Sequence, residues 1–402
     1  MKICVVGLGY IGLPTALMLA SNGNQVMAVD YNKALVDKLQ NGEVTFEEKG
    51  LPELFAAARE SITFLHEYPV ADMYIVAVPT PYLAASKKVD AQFVCAAVEC
   101  VLQVCGDGAV VVVESTVSPG TIDRYVRPVV ERSGKHVELA HAPERIIPGN
   151  MVYELTHNSR TIGADKPEVG EAVRGVYSSF CRGEIVLTDI RTAEMSKVVE
   201  NTFRDINIAF ANELMKICRS DGMDVYEIIR IANKHPRVNI LQPGPGVGGH
   251  CISVDPWFLV GDYPELSKLI GTARHINDEQ PAFVLERIHD IMKEKGMTDP
   301  KRVGLYGLTY KENVDDTRES PTLQLLECQA RHLAEPLKVY DPYVKKDIVK
   351  NQYHDLDSFL NDVDLVVVMV AHDEIKENLG KLAGKVVLDT RNICEGIERY
   401  TL

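Results

Sequence analysis

Through the first half of the chain, short β-branched apolar runs alternate with longer amphipathic stretches. Residues 2–6, 25–29, 73–78 and 109–114 read as strands, and 14–21 and 91–104 between them read as helices. This alternation predicts βαβ units around a parallel sheet. From 192 to 221 the pattern changes. No Pro or Gly intervenes before Gly222, and Met195, Val198, Val199, Phe203, Ile206, Phe210, Leu214 and Ile217 recur every three or four positions. The spacing predicts one helix of roughly 40 Å or more at 1.5 Å per residue. A helix this long joins domains or builds a dimer interface.

After Pro300 the alternation returns as an echo of the beginning: 301–308 (KRVGLYGL) matches 1–9 (MKICVVGLG), 363–374 matches 71–81, and 385–392 matches 109–117. Three matches in one order predict an α/β fold. It comprises two Rossmann-like doubly wound parallel-sheet domains, joined by a long central helix and a helical middle domain. The expected division is 1–190, 191–295 and 296–402. The second copy lacks the full glycine fingerprint, so it is expected to bind something other than a dinucleotide.

Composition narrows the function. A chain of 402 residues, 46% hydrophobic and 25% charged, suits a well-buried protein of two or three domains. The net charge of −14 argues against nucleic acid, whose phosphates need a basic face. An anionic small molecule held by a few Arg, Lys and helix N-termini remains compatible. The nine cysteines are odd in number, widely spaced and without a CxxC pair, which indicates reduced thiols in a cytosolic protein. Cys95, Cys100 and Cys105 are five apart, about 140° per step on a helix, so they share no face and read as packing residues. The apolar N-terminus imitates a signal peptide, but Gly7, Gly9, Gly12 and Pro14 interrupt it, and no other stretch approaches a membrane span. A cytoplasmic protein is expected. Asp315 and Asp316 point apart and lack partner spacing, so no metal is expected.

Those glycines belong to Gly7-Leu8-Gly9-Tyr10-Ile11-Gly12, between a strand and a helix, a pattern that permits a tight turn, close approach of backbone to pyrophosphate and tight helix–strand packing. The helix N-terminus adds N–H groups and partial positive charge for phosphate. The second strand ends in Asp30, eighteen residues after Gly12. An acid there accepts from a ribose 2′-hydroxyl and repels a 2′-phosphate, which favours NAD. Val78, Pro79, Thr80 and Pro81, and Glu114, Ser115, Thr116 and Val117, fall at the carboxyl ends of later strands, where open α/β sheets bind ligands.

The most informative segment is Pro243-Gly-Pro-Gly-Val-Gly-Gly-His-Cys251-Ile-Ser-Val-Asp255-Pro-Trp-Phe. Its glycines let backbone N–H groups approach a ligand. A helix starting near Cys251 would favour a nucleophilic thiolate and set Asp255, four residues on, on the same face. Pro256 fits only the first turn, which makes that helix short or delayed. A cysteine in a glycine-rich loop is also compatible with a purely structural role.

With GxGxxG at the start, VPTP and STV at strand ends, the long helix, GGHCxxxD and YKENVDDTRESP in this order, the chain resembles the UDP-glucose/GDP-mannose dehydrogenase family over its whole length. GPGVGGHCISVDPWF is most similar to the branch acting on UDP-N-acetyl-D-mannosamine, whereas the UDP-glucose branch typically reads GYGGxCLPKD there. The resemblance implies two successive hydride transfers to NAD, with a C6 aldehyde captured by Cys251 as a thiohemiacetal, oxidised to a thioester and hydrolysed. A covalent handle is what a four-electron oxidation without aldehyde release needs.

By motif, the resemblance makes Lys197 of EMSKVVEN the stabiliser of oxyanion charge, with Asn201 one turn on. It makes Asp255 the acid that arranges the hydrolytic water, Glu144 of APER an acid assisting hydrolysis, and Thr116 a water-positioning residue. Arg237 is implied to reach a neighbouring subunit's ligand, Lys311 and Arg391 to contact the sugar nucleotide, and Arg318 to contact the cofactor. Gly244, Gly246, Gly248, Gly249 and His250 form the implied substrate loop, with His250 in a packing or shaping role. Arg145, Ile146, Ile147 and Pro148 replace an FLxE-like stretch of the UDP-glucose branch, which leaves the sugar open among UDP-N-acetylmannosamine, UDP-N-acetylglucosamine and UDP-glucose.

A one-step NAD-dependent hydroxyacid dehydrogenase would need neither Cys251 nor a third domain. A short-chain epimerase is excluded because no Tyr-x-x-x-Lys pair occurs. A non-catalytic nucleotide-sugar-binding protein remains the alternative of a different class. A homodimer through 192–221 is expected.

Overall fold

The computed structural model describes residues 1–249, 251–331 and 337–402. They divide into two compact units, Met1–Glu200 with Phe258–Tyr263, and Asn201–Trp257 with Pro264–Leu402.

The first unit holds β1 (Ile3–Val6), β2 (Val26–Val29), β3 (Ile62–Leu65), β4 (Met73–Val76), β5 (Val110–Val113), β6 (Glu138–His141), β7 (Arg160–Ala164) and β8 (Ile185–Thr188) in the order β3-β2-β1-β4-β5-β6-β7-β8. The strands foreseen at 2–6, 25–29, 73–78 and 109–114 are β1, β2, β4 and β5, each slightly shorter than the apolar run that marked it. β1 and β4 are buried throughout, as continuous Val/Ile runs covered on both faces should be. The sheet is parallel except where β6 meets β7 antiparallel. That reversal has no signature in hydrophobic pattern, which reports burial and not strand direction.

The second unit contains β9 (Val303–Tyr306), β10 (Lys338–Tyr340), β11 (Gln352–Tyr353), β12 (Leu365–Val368), β13 (Val386–Asp389) and β14 (Tyr400–Thr401), all parallel, in the order β11-β10-β9-β12-β13-β14. The internal echo is real at atomic detail. Gly7 and Gly307 both take positive φ, 90° and 101°. The Leu8 N–H donates to Asp30 Oδ2 at 2.7 Å, and the Leu308 N–H donates to Asp341 Oδ2 at 2.6 Å. The copies diverge where a dinucleotide would lie. Thr309 and Glu312 stand in the places of Gly9 and Gly12. Buried His372 fills in behind them, its Nε2 3.1 Å from Asp341 Oδ2 and 3.3 Å from Thr309 Oγ1. Side chains thus occupy what the first copy leaves to backbone.

The long helix is Ile190–Ser220, about 46 Å at 1.5 Å per residue. Its buried side mixes apolar residues such as Val198, Ala211 and Met215 with polar ones. Glu194, Lys197, Asn201, Asp205 and Asn212 are buried, while Val199, Phe203, Phe210 and Ile217 stand exposed. The apolar periodicity is real, but part of it faces outward. No described helix is long and apolar enough to cross a membrane.

Candidate active site

The glycine turn after β1 has the shape that a dinucleotide requires. A Cβ on Gly7 would sit 2.6 Å from the Ala77 carbonyl oxygen, and one on Gly12 would sit 1.9 Å from the Gly7 oxygen, so both are imposed by packing. Gly9 differs: nothing lies within 4 Å of its Cβ position. The backbone there is bare, as pyrophosphate contact demands. Tyr10 tilts against Phe46 at 4.4 Å, and Ile11 rests on the sheet core. Asp30 is buried, and its second oxygen accepts from the Asn32 N–H at 2.8 Å. It therefore braces the glycine turn. The VPTP and STV ends are stitched together: Ser115 Oγ donates to the Val78 carbonyl at 2.6 Å and Thr80 Oγ1 to that of Thr116 at 2.7 Å. Pro79 is exposed beside them. These residues fit NAD.

In the same unit Glu144 is buried and ion-paired with Arg160, and its Oε1 accepts the Arg145 N–H at 2.6 Å. The Arg145 guanidinium pairs with Glu200 at 2.6 Å and reaches Ser159 and Thr161. The Ile146 side chain is buried in the core. Lys197 is 7% exposed and makes no ion pair among the described residues. That contrasts with the solvated lysine a long helix ordinarily carries.

In the second unit, Cys251 is exposed and its carbonyl accepts the Asp255 N–H at 2.8 Å. The helix Asp255–Asp262 starts four residues past the cysteine, delayed as Pro256 requires, so Cys251 leads a turn that precedes the helix. Asp255 is buried, and its Oδ2 accepts from Asn201 Nδ2 at 2.6 Å.

The glycines of the loop before Cys251 serve the protein as much as a ligand. A Cβ on Gly248 would lie 2.6 Å from the Glu319 oxygen and from Tyr310 Cβ. One on Gly249, at φ 76°, would lie 2.9 Å from the Tyr310 ring. Gly246, at φ 145°, packs on Pro321, and the Gly249 N–H donates to the Arg318 carbonyl at 2.9 Å. The loop is thereby docked on the segment YKENVDDTRESP. Arg318 itself grips Asp316, with Nε 2.8 Å from Oδ1. Arg391 lies beside Gly244, where a Cβ would come within 3.2 Å of its Nη1, and is 4.0 Å from Glu312. Lys311 is half-buried, with its carbonyl accepting from Thr309 Oγ1 at 2.8 Å. Arg237 is exposed. His250 lies outside the described residues.

Comparison with known proteins identifies the family. Residues 1–181 match the NAD binding domain of the UDP-glucose/GDP-mannose dehydrogenase family, 191–279 its central domain, and 304–396 its UDP binding domain. The chain belongs to this family. As a member, it is an NAD-dependent UDP-sugar dehydrogenase. It is 44% identical to a UDP-N-acetyl-D-mannosamine dehydrogenase of Methanococcus maripaludis, over 98% of this chain and 93% of that one. It is 40% identical to an NDP-N-acetyl-D-galactosaminuronic acid dehydrogenase of Ralstonia nicotianae, over 97% and 96%. Among solved structures it resembles the UDP-N-acetyl-mannosamine dehydrogenase of Staphylococcus aureus, with a TM-score of 0.89 at 41% identity over 100% and 98% of the two chains. The corresponding Pyrococcus horikoshii enzyme gives 0.91 at 34%, over 100% and 99%.

The dehydrogenase also carries supporting residues that motif reading passed over. Arg274 is fully buried, paired with Asp205 and with Asp278 at 2.8 Å, and its Nη1 lies 3.3 Å from the Ile252 carbonyl next to Cys251. Burial pushes Asp205 up to about 6 against the pull of Arg274. Asn277 donates to Asp205 at 2.8 Å and accepts from Asn212 at 2.9 Å, and Asn212 accepts the Gly244 N–H at 2.9 Å. One polar network thus holds both ends of the loop. A sequence signal was available for Asp205 alone, which follows Lys197 and Asn201 at four-residue spacing within the helix and so shares their face. Arg160 had no such signal, and Glu114 had only its place at the carboxyl end of β5.

Proposed function

We propose that the protein oxidises the C6 hydroxymethyl of UDP-N-acetyl-D-mannosamine to the uronate through a thioester on Cys251. The observation that carries this reading is the exposed cysteine at the head of a turn whose Asp255 is fixed by Asn201 on one side and by the Cys251 carbonyl on the other. The relatives named for UDP-N-acetyl-mannosamine, and the GPGVGGHC sequence, support the sugar.

NAD, when bound, accepts the hydride in each of the two oxidations. The chain's own residues do the rest. Cys251 Sγ adds to the C6 aldehyde and holds it, so no free aldehyde escapes. Lys197, buried and without an ion-pair partner among the described residues, offers its charge to the oxyanion. Asp255 and Glu144, with Thr116, orient the water that releases the acid. Arg391, Lys311 and the loop 244–250 hold the sugar nucleotide, and Arg237 extends toward a second subunit. Arg318 assists at the cofactor. The division 1–190, 191–295 and 296–402 then separates cofactor binding, the nucleophile and UDP binding.

We also propose a cytoplasmic homodimer. Val199, Phe203, Phe210 and Ile217, all 46% exposed or more, follow four-and-seven spacing along one stripe of the long helix. Such a stripe on two copies is self-complementary about a twofold axis.

The test is a panel of UDP-N-acetylmannosamine, UDP-N-acetylglucosamine, UDP-glucose and GDP-mannose with NADH as readout. Two NADH per UDP-N-acetylmannosamine are expected, and one per turnover contradicts the thioester route. Cys251→Ala is expected to cut acid formation by on the order of 10³-fold or more while NAD still binds.

A further inference from the structure

We propose that Arg160 is a positioning residue for Glu144 in the hydrolytic step, and that Glu114, on the other side of the same guanidinium, competes with Glu144 for it. The inference rests on the reading of Glu144 given above. All three side chains belong to the first unit and are nearly inaccessible, with Arg160 2%, Glu114 1% and Glu144 6% exposed.

Arg160 cannot wander. Its guanidinium carbon stands 4.4 Å from the centre of the Tyr177 ring and 5.4 Å from that of Phe180, a stacked setting that fixes the plane of the fork. One nitrogen, Nη2, pairs with Glu144; the other, Nη1, lies 3.5 Å from Glu114 Oε1. One buried cation therefore faces two buried acids. Leaving a second carboxylate charged without a partner is costly, so one of the acids holds a proton.

The contacts say which. Glu144 has the close guanidinium and the Arg145 N–H. Glu114 has the longer arginine contact and the Tyr177 hydroxyl, which donates at 2.9 Å; among the described residues no group within ordinary hydrogen-bond geometry reaches its Oε2. Thr15 Oγ1, from the helix that opens at Gly12, is buried beside Glu114 and favours its charged form, as Tyr177 does, but both together are outweighed by burial. A proton on Glu114 removes the second buried charge beside the single guanidinium. Burial, with Glu144 adding repulsion and Arg160 opposing, pushes Glu114 up to about 7. The remaining groups around the triad are Tyr177 and Cys181, which act on Arg160, and His141 on β6, whose Nδ1 is bonded to the Val113 carbonyl at 2.8 Å.

Below neutral pH Glu114 is an acid, and Arg160 belongs to Glu144. Glu144 is then a carboxylate ready for its step: the water oxygen bonds to the thioester carbonyl carbon and its proton passes to Glu144. The carbon–sulfur bond breaks with its electron pair returning to Cys251. Above neutral pH Glu114 ionises, two carboxylates share one guanidinium, and the hold on Glu144 loosens.

The test uses the full-length enzyme with NAD and UDP-N-acetylmannosamine, and compares the NADH burst with steady-state acid formation from pH 6 to 9. Arg160→Gln should retain the burst and slow steady-state acid formation by roughly 10²-fold, the worth of a misplaced general base, with KM little changed. Arg160→Lys should recover part of this. Glu114→Gln should flatten the ratio of steady-state to burst rate across neutral pH, where the unaltered enzyme's ratio falls. Burst and steady state slowed alike in Arg160→Gln, or a Glu114→Gln pH profile that follows the unaltered enzyme, overturns the proposal. Undiminished hydrolysis in Glu144→Gln overturns the reading of Glu144 itself, and the proposal with it. If Arg160→Gln fails to fold, Arg160→Lys and Glu114→Gln decide the matter.

Discussion

The side-chain amide of Asn201 donates to Asp255 Oδ2 at 2.6 Å, and the Asp255 backbone N–H donates to the Cys251 carbonyl at 2.8 Å. A carboxylate held at both its side chain and its backbone keeps one orientation relative to the turn that carries Cys251. A residue of the long helix thereby sets the geometry of a loop some fifty positions away.

Removing that anchor leaves a buried acceptor unmet. Asn201→Ala is expected to cost about 1–3 kcal/mol in stability and to lower kcat by roughly 10²-fold with a smaller change in KM. Urea unfolding and steady-state kinetics measure the two effects. An unaltered kcat would show that Asp255 needs no such anchor.

Asp30 braces Leu8 and Asn32, and it is the residue proposed to read the ribose. Asp30→Ala is expected to raise KM for NAD about tenfold or more, to narrow the preference for NAD over NADP, and to cost about 1 kcal/mol through the lost backbone contacts. Unchanged discrimination between the two cofactors counts against the assignment of Asp30.

Glu194 is buried and accepts the N–H groups of Gly120 and, at 2.9 Å, Ile122. Desolvation outweighs those bonds and pushes its carboxyl from 4.5 up to about 7. A raised folded value means that the protonated form is favoured on folding. Its contribution is therefore complete below about pH 4.5 and lost as pH rises through 7, on the order of 3 kcal/mol in all. Glu194→Gln should lose less stability than the unaltered protein between pH 5 and 8 in thermal unfolding. Parallel curves would contradict the assignment.

The exposed stripe on the long helix predicts its own test. Phe210, 53% exposed, should become incompatible with a symmetric interface when charged. Phe210→Asp is expected to halve the mass seen by light scattering without loss of helix content. A monomeric mass for the unaltered protein would remove the dimer altogether.

Much of this protein was written in local sequence. Apolar runs located β1, β2, β4 and β5 because a parallel strand covered on both faces must be apolar throughout. The glycine spacing located the cofactor turn because Gly7 and Gly12 meet backbone atoms that leave no room for a Cβ. GGHCxxxD marked the exposed cysteine proposed as nucleophile, and the proline at 256 foretold the late helix start.

Tertiary structure alone decided what surrounds those groups. No local pattern says that β7 turns antiparallel to β6, that the long helix buries polar residues and exposes phenylalanines, or that Gly248 and Gly249 are small because Tyr310 packs on them. Nor does any pattern bring Arg160 between Glu114 and Glu144, residues 46 and 16 positions away. The reason is common to all four: periodicity records how often a side chain meets a nonpolar environment, whereas the charge and proton of a buried acid depend on which distant groups the fold places against it.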